Sequence, residues 1–239
     1  VADTVSAGSG GSFGGNIGIG GTLSVTGNVV SPITLGGTTP TLTIGDAGAE
    51  DTKIVFDGNA QDYHIGLDDS ADTLVIGKGS ALGTTTAMSF DANGIITKPL
   101  QPAFLANVGT QQNNIATGSN VTVLLNTEIF DQNADYNTSN YTFTAPVTGR
   151  YFLAFNLSIA AIDAGASFHQ FKIATSNRTH AATYSEAGST DPSYSIFNYS
   201  VITDMDAADT ATVQFFQNDG AAQADIRATE STFSGYLVA

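Results

Sequence analysis

The sequence predicts an all-β protein, and three observations carry this prediction. Residues 103–239 contain no convincing helical pattern. Runs rich in Val, Ile, Thr, Tyr and Phe recur about every ten residues there, with Gly, Asn, Asp or Pro between them. The segment 149–161 alternates between an apolar series that includes Tyr151, Leu153 and Phe155 and a second series of mostly small or polar residues. Short strands with frequent turns favour a β-sandwich or a β-barrel.

The composition limits the kinds of partner. The chain has 239 residues, 41% of them hydrophobic, and Lys plus Arg 7 against Asp plus Glu 22 gives a formal net charge of -15. This charge repels nucleic-acid phosphates and anionic lipids, so we expect no nucleic acid among the partners. No apolar stretch approaches the roughly 20 residues that cross a bilayer, and we expect no membrane insertion. Cysteine is absent, so stability has to come from packing or from oligomerisation.

Residues 1–21 form a glycine-rich segment. Its glycines include Gly10, Gly11, Gly14 and Gly15, and it has too little apolar surface to fold around a core of its own. We interpret the segment as an anchor that becomes ordered against a partner, and a flexible leader is the alternative. The chain starts at Val1 rather than Met, so either the initiator was removed or upstream residues were processed or omitted.

Residues 22–98 predict a β-rich stalk. The stretch Thr22–Val30 alternates as a half-buried strand does, and two pairs of segments then repeat, with 41–46 matching 73–78 and 54–59 matching 88–93. One such unit has too little apolar surface to fold alone. We therefore expect three chains to pool their Leu, Ile and Phe side chains around one axis. Chance similarity between Gly- and Thr-rich strands is the alternative explanation of the repeat.

Two prolines mark the boundary between this stalk and a C-terminal head. Pro99 and Pro102 cannot donate to a β-ladder and favour an extended junction, so we place the head at 99–239. Its strand candidates are 103–108, 120–125, 140–144, 149–161, 167–176, 179–186, 193–203, 209–217 and 231–238.

A spaced aromatic signature runs through this head. From Asp131 the spacing is D-x4-Y-x6-F-x5-G-x-Y-x3-F, and the sequence Phe-Ser-Gly-Tyr-Leu closes the pattern at 233–237. The signature residues are Asp131, Tyr136, Phe143, Gly149, Tyr151, Phe155, Phe233, Gly235 and Tyr236. We expect Gly149 to permit a tight turn into the long strand that follows it.

This signature resembles that of the globular head of complement component one, subcomponent q, which is related to tumour necrosis factor. Leu125 and Leu153 stand where that family usually has Phe, and both changes keep an apolar residue. The resemblance implies a trimeric jelly-roll sandwich, with aromatics such as Tyr151, Phe155 and Tyr236 along the central or trimer-facing sheet. The expected fold is therefore a homotrimeric jelly-roll head on a repeat-containing β stalk.

The stalk resembles, in style rather than by any fixed motif, the shaft and collar of bacteriophage tail fibres. Together the two resemblances imply a structural virion appendage, a trimeric phage fibre whose head adheres to a host cell-surface protein or glycan. The N-terminus would bind other virion proteins, and the protein would lie on the virion exterior. One alternative is a capsid head fibre or decoration protein. Another is a secreted bacterial or archaeal filament or surface protein, which would be extracellular or at the cell surface.

Catalytic motifs are absent, so we expect no enzyme and no cofactor. His64, His169 and His180 lack the spacing of metal ligands, and we expect His169 and His180 at the surface or in an interface. Paired carboxylates for glycan cleavage are the enzymatic alternative, but nothing singles out a pair.

Acidic turns are the candidates for calcium. Oxygen-rich loops can bind this ion, and the family resemblance includes calcium near the apex of the head in some members. The candidates are Asp204, Asp206 and Asp209, with Asp68, Asp69 and Asp72 as a second group. Neither group has the EF-hand spacing, and solvated turn carboxylates are the alternative interpretation.

A tyrosine-rich loop is a candidate for surface binding. Aromatic rings with polar tips suit carbohydrate or protein recognition, and they suit a trimer core equally well. The residues are Tyr184, Tyr194, Asn198 and Tyr199.

Overall fold

The computed structural model describes Val29 and residues 32–239. The predicted anchor glycines Gly10, Gly11, Gly14 and Gly15 lie outside these residues, as does all of the strand predicted at Thr22–Val30 except Val29. The chain divides into two units, Val1–Ile44 and Gly45–Ala239. The described residues of the first unit contain neither helix nor strand.

The described part of the chain is all-β, as the sequence predicts. Its first sheet is an antiparallel meander of five strands. These strands are β1 (Thr52–Phe56), β2 (Tyr63–Asp68), β3 (Thr73–Lys78), β4 (Thr86–Phe90) and β5 (Ile96–Thr97). Of the first repeated pair, 73–78 is strand β3 and 41–46 is irregular, whereas the second pair contributes strand residues on both sides, in β1 and β4. Lys98–Pro102 then connect β5 to the head.

Twelve strands follow in the head. They are β6 (Ala103–Asn107), β7 (Asn120–Thr122), β8 (Thr127–Asp131), β9 (Tyr136–Asn137), β10 (Thr142–Thr144), β11 (Gly149–Ala160), β12 (His169–Thr175), β13 (Thr179–Tyr184), β14 (Tyr194–Met205), β15 (Thr210–Gln217), β16 (Asp225–Ile226) and β17 (Thr232–Leu237). Every predicted head strand is present. The short strands β8, β9 and β16 were not predicted.

Two antiparallel sheets form a jelly-roll sandwich. The first head sheet has the order β13-β12-β15-β10-β9, and β7 pairs with β15. The second head sheet has the order β14-β11-β17-β6-β8, and β16 pairs with β11. The longest pairing in the second sheet joins β11 to β14, from Gly149 opposite Met205 to Ala160 opposite Tyr194. No part of the described chain forms a helix long and apolar enough to span a bilayer.

The core of the head lies between these two sheets. Phe104 of β6 is stacked on Tyr136 at 5.0 Å and on Phe143 at 4.8 Å between ring centroids. Phe171 and Phe215, which belong to the same sheet as Tyr136 and Phe143, are also buried. Removing a side chain of this size from water contributes about 1.5–3 kcal/mol, so this aromatic layer stabilises the head together with the buried aliphatic residues.

Candidate oligomer interface

The second head sheet has one face against the core and one face bare. Side chains alternate along a strand, so the buried residues Tyr151 and Leu153 of β11 are flanked by residues that point away from the core. We call this bare side the outer face. Its main residues are Phe152, Ala154 and Asn156 of β11, Tyr194, Ile196, Asn198, Ser200 and Ile202 of β14, and Thr232, Ser234 and Tyr236 of β17.

An apolar row crosses the outer face. Phe152 is opposite Ile202 on one side and Tyr236 on the other, and the rings of Phe152 and Tyr236 are 5.2 Å apart. Ile202 is 59% exposed and Tyr236 is 49% exposed. Large apolar side chains that lie together at the surface mark a contact site, because covering them removes apolar area from water. Exposed Phe130 of β8, opposite Leu105, adds to the apolar area of this sheet.

An open depression of about 400 Å³, lined by both polar and apolar side chains, lies beside this row. Asn156 and Asn198 are opposite each other across β11 and β14, and Thr232 and Ser234 line the other side. The Asn156 Nδ2 donates to the Glu230 carbonyl oxygen at 2.7 Å, which fixes the orientation of this amide. The outer face therefore combines an apolar row with amides and hydroxyls that can make hydrogen bonds to a partner.

A charged pair borders the outer face at its far end. The Arg227 guanidinium lies 4.6 Å from the centre of the Tyr194 ring and donates to Glu230 Oε1 at 2.6 Å. Ser158 Oγ donates to Glu230 Oε2 at 2.8 Å. The hydrogen bonds from Arg227 first, and then from Ser158, hold the pKa of Glu230 below its ordinary value, so the pair is ionised at neutral pH.

The aromatic signature residues lie mainly in the core. Tyr136, Phe143, Tyr151, Phe155 and Phe233 are buried. The Tyr151 hydroxyl donates to the Val147 carbonyl oxygen at 2.7 Å, and the Tyr136 hydroxyl donates to the Leu125 carbonyl oxygen at 2.9 Å. Burial raises the pKa of Tyr136 well above its usual range. Tyr236 alone among the signature aromatics lies on the outer face.

Asp131 holds the backbone of the turn that follows β8. Its two carboxylate oxygens accept from the Asp135 N–H at 3.1 Å and from the Tyr136 N–H at 2.8 Å. These bonds satisfy backbone donors at the entry to β9, where the signature continues with Tyr136. The aspartate at the start of the signature is therefore a structural residue of the turn.

The two signature glycines are required by close packing. A Cβ on Gly235 would lie 2.6 Å from Leu153 Cδ2 and 3.0 Å from the Phe152 carbonyl oxygen. A Cβ on Gly149 would lie 2.8 Å from the Ala239 carbonyl oxygen. Gly149 is not among the glycines with positive φ, so the explanation from a tight turn was wrong. The residue is small because the C-terminus of the chain passes over it.

The tyrosine candidates for surface binding do not form a loop. Tyr194, Asn198 and Tyr199 belong to β14, and alternation places Tyr194 and Asn198 on the outer face and Tyr199 against the core. Tyr184 of β13 packs edge-on against Phe197 and donates to Glu186. The structure therefore separates the four residues onto opposite faces of the sheets, and the prediction of a tyrosine-rich loop was wrong.

The acidic candidates for calcium each engage a different group. Asp204 is paired with Arg178 at 2.8 Å, while Asp209 accepts from the Ser176 hydroxyl at 2.7 Å and from the Asp206 N–H at 2.7 Å. Within residues 32–239 and Val29, no three His, Asp or Glu side chains are grouped as metal ligands. Calcium at this turn stays a prediction, and binding would require these carboxylates to leave their present partners.

His169 differs from its prediction, because it is buried rather than at the surface. It lies opposite Gln217 in the first head sheet and is stacked on Phe215 at 5.8 Å. Burial lowers its pKa, although the carboxylates of Asp163, Glu186 and Asp219 oppose this shift. His180 is partly buried, and its Nε2 is 3.1 Å from the Thr203 hydroxyl.

Among the apolar residues of the outer face, only Tyr194 and Tyr236 were candidates from the sequence. Ile196, Ile202 and Phe130 fall outside the signature, which marks residues that hold the sandwich together. One signal was available in the sequence. Phe152 is a large aromatic residue in the series of β11 that is otherwise small or polar, and such an exception indicates a second apolar contact.

Part of this chain is similar to several solved structures and matches one protein family. Among solved structures, the globular domain of zebrafish complement 1qA has 17% sequence identity to this chain and a TM-score of 0.42. The match covers 58% of this chain and 98% of the zebrafish domain. Murine APRIL has 7% identity, a TM-score of 0.42, and coverage of 58% and 99%. The PRD1 vertex protein P5 has 11% identity, a TM-score of 0.42, and coverage of 59% and 99%. No curated protein matches the chain. The C1q domain matches residues 103–238, which is more than half of the sequence, and the chain therefore belongs to the C1q domain family.

Proposed function

We propose that this protein is a structural subunit of a homotrimeric virion appendage. The outer faces of three heads pack together around a threefold axis, and the trimer presents the heads for adhesion to a host cell-surface protein or glycan. The observation that carries this proposal is the apolar row of half-buried Phe152 with exposed Ile202 and Tyr236, on a sheet whose other face is already buried. Closed rotational symmetry covers such a face once in each subunit and leaves no open contact for further growth.

The charge of the chain agrees with a role outside the cell or on a particle. A net charge of -15 favours solubility of the assembled copies and repels the phosphates of nucleic acid. The apolar row carries no charged side chain, so three acidic chains can meet there without placing like charges in contact. Avidity supports adhesion, because three heads on one particle contact a cell surface together even when a single head binds weakly.

The first experiment measures the mass of the full chain in solution by light scattering. A mass near three times the 24.5 kDa chain is expected at all protein concentrations used. A monomer that persists at high concentration contradicts the proposal, because the outer face would then be stable in water. A dimer also contradicts it, since a twofold contact would bury the row differently.

The second experiment separates the virion from other settings. Antibodies raised against the purified protein should label the exterior of phage particles, and the purified protein should bind host cells. Labelling of cell-surface filaments in cultures free of phage would instead assign the protein to a secreted surface structure. Labelling of the capsid rather than the tail would make it a head fibre or decoration protein.

A further inference from the structure

The five-stranded sheet that precedes the head carries its large side chains on one bare face. Ile54, Ile65 and Ile76 lie directly opposite one another across β1, β2 and β3, and Met88 of β4 extends this row. Ile54 is 42% exposed and Ile65 is 37% exposed. We call this side the stem face. Its apolar residues are Ile54, Phe56, Tyr63, Ile65, Leu67, Leu74, Ile76, Met88, Phe90 and Ile96.

The opposite face of this sheet is partly covered by its own chain. The segment 79–85 lies over it, because Leu82 is next to Gly66 and the Lys53 Nζ donates to the Ser80 carbonyl oxygen at 2.8 Å. A Cβ on Gly66 would lie 2.8 Å from Leu82 Cδ1, and a Cβ on Gly77 would collide with the His64 ring. The covered part of this face carries Gly66 and Gly77 with buried Val75 and His64, whereas Lys53 and Val55 at its edge in β1 are exposed.

This arrangement is the reverse of what a self-sufficient sheet shows. A sheet that folds alone turns its large apolar side chains toward the layer that covers it and leaves small or polar residues outside. Here the covered side has glycines, and the bare side has isoleucines, leucines and aromatics. The apolar side of this sheet is thus left largely uncovered by the described residues.

The chemistry of the stem face selects another copy of the same face as its partner. Lys78 is the one charged residue in the rows that form it, and it lies at the edge beside Tyr63. A partner must therefore offer an uncharged apolar surface, and the stem face is itself such a surface. Two such faces in contact bury the apolar rows of both chains, and neither leaves a charge unpaired in the centre.

The connection to the head brings the copies together. Only Lys98–Pro102 separate β5 from β6, and five extended residues span at most about 18 Å. The connection is also tied to the head, because Gln132 Nε2 donates to the Lys98 carbonyl oxygen at 2.8 Å and to the Gln101 carbonyl oxygen at 2.6 Å. When three heads associate, three stem faces are held within reach at a high effective concentration.

We infer that the stem faces of three copies pack against one another on the threefold axis of the heads, and that Ile54, Ile65 and Ile76 of each copy lie in one shared core. This inference rests on the homotrimer proposed above. It goes beyond that proposal because the sheet lies outside residues 103–238, which define the family. The sheet thereby acts as a second trimer contact with its own apolar core.

Cysteine cross-linking of the full chain tests the inference, because the natural sequence contains no cysteine. Ile65→Cys places one thiol at the centre of the stem face, and Lys53→Cys places one at an exposed position in the outer strand of the opposite face. A short bismaleimide should convert up to two-thirds of the Ile65→Cys chains to covalent dimers, since three thiols can pair only two at a time. Lys53→Cys should give at least tenfold less dimer at the same protein concentration.

The outcomes separate the two proposals. Absence of cross-linking in Ile65→Cys, with a light-scattering mass of three chains, overturns the stem inference and leaves the trimeric head intact. A mass of one chain overturns the homotrimer itself. Cross-linking accompanied by a mass of six chains shows that stem faces join separate trimers, and this also overturns the inference. Ile54→Cys provides a second test in the same row should Ile65→Cys fail to give soluble protein.

Discussion

Phe152 and Tyr236 lie side by side on neighbouring strands, with their ring centroids 5.2 Å apart, on the side of the sheet that faces away from the core. Their sequence neighbours Tyr151 and Gly235 lie on the core side of the sheet, where the Tyr151 side chain is fully buried. One pair of strands therefore serves two contacts, since alternate residues stabilise the sandwich and the remaining ones form the apolar row. Substitutions one residue apart should consequently affect different properties of the protein.

Replacement of Tyr236 by Asp should prevent trimer formation without unfolding the head. The new carboxylate would be buried in the apolar row without a partner, which costs several kcal/mol in each subunit. Light scattering should give a mass near one chain, and circular dichroism should still show a β-sheet spectrum. Ala181→Asp is the matched control, because Ala181 is exposed on β13 in the other head sheet and acquires the same charge. Equal masses for the two variants would contradict the assignment of the interface.

Tyr151 should respond to substitution through the stability of the head. Tyr151→Phe removes the hydroxyl that donates to Val147 and leaves the ring in place, which should lower the free energy of unfolding by about 0.5–1.5 kcal/mol. Tyr151→Asp buries a carboxylate in the core and should yield no folded head. Denaturant titration measures the first effect, and the yield of soluble protein measures the second. A Tyr151→Phe variant with native stability would show that the hydroxyl contributes nothing.

Much of the head was predictable from sequence because its central strands β11 and β14 are long and its core contains many aromatic residues. Alternation at 149–161 identifies β11 and its buried series, and the spacing that begins at Asp131 selects the residues that stack around Phe104. The two-residue strands β9 and β16 carry too few residues to show a period. Strand β8 was missed because its apolar residues Ile129 and Phe130 are adjacent rather than alternating.

The candidate sites were less predictable because they depend on which residues share a face in three dimensions. Tyr194 and Tyr199 are close in sequence, but five residues along a strand place them on opposite sides of the sheet. His169 was expected at the surface because neither its sequence neighbours nor its spacing shows that β12 is covered by Tyr184 and Phe215. Gly149 is small because of Ala239, which is distant in sequence. Each error concerns a contact between segments far apart in the chain.

Gly235→Ala should destabilise the head even though the substitution adds only a methyl group. The new Cβ would lie 2.6 Å from Leu153 Cδ2 and 2.9 Å from Phe104 Cε1, so core side chains have to move. Overpacking of this kind typically costs about 1–3 kcal/mol, which urea titration can resolve. Gly36→Ala is the control, because no atom lies within 4 Å of its Cβ position and its φ is not in the left-handed region. The expected change there is within about 0.5 kcal/mol. Similar losses for both variants would refute the packing explanation.

His169 should make the stability of the head depend on pH between about 5.5 and 7.5. Burial lowers the pKa of His169 in the folded state below its ordinary value of 6.5, so the unfolded chain binds more protons in this range. The stabilisation is fully present above the unfolded pKa and is lost as the pH falls below it. The slope is at most about 1.4 kcal/mol per pH unit, because one group titrates. Urea midpoints at pH 7.5, 6.5 and 5.5 measure this loss.

The variant His169→Phe isolates the contribution of this residue. Phenylalanine keeps an aromatic ring against Phe215 and cannot be protonated, so its urea midpoint should change much less over the same range. His180→Gln is the matched control, because His180 lies on the neighbouring strand and is partly exposed, with its Nε2 next to the Thr203 hydroxyl. This second variant should retain the pH dependence of the natural protein. If His169→Phe loses stability on acidification as steeply as the natural protein, other groups cause the effect, and the carboxylates of Asp163, Glu186 and Asp219 around His169 would be the next to replace.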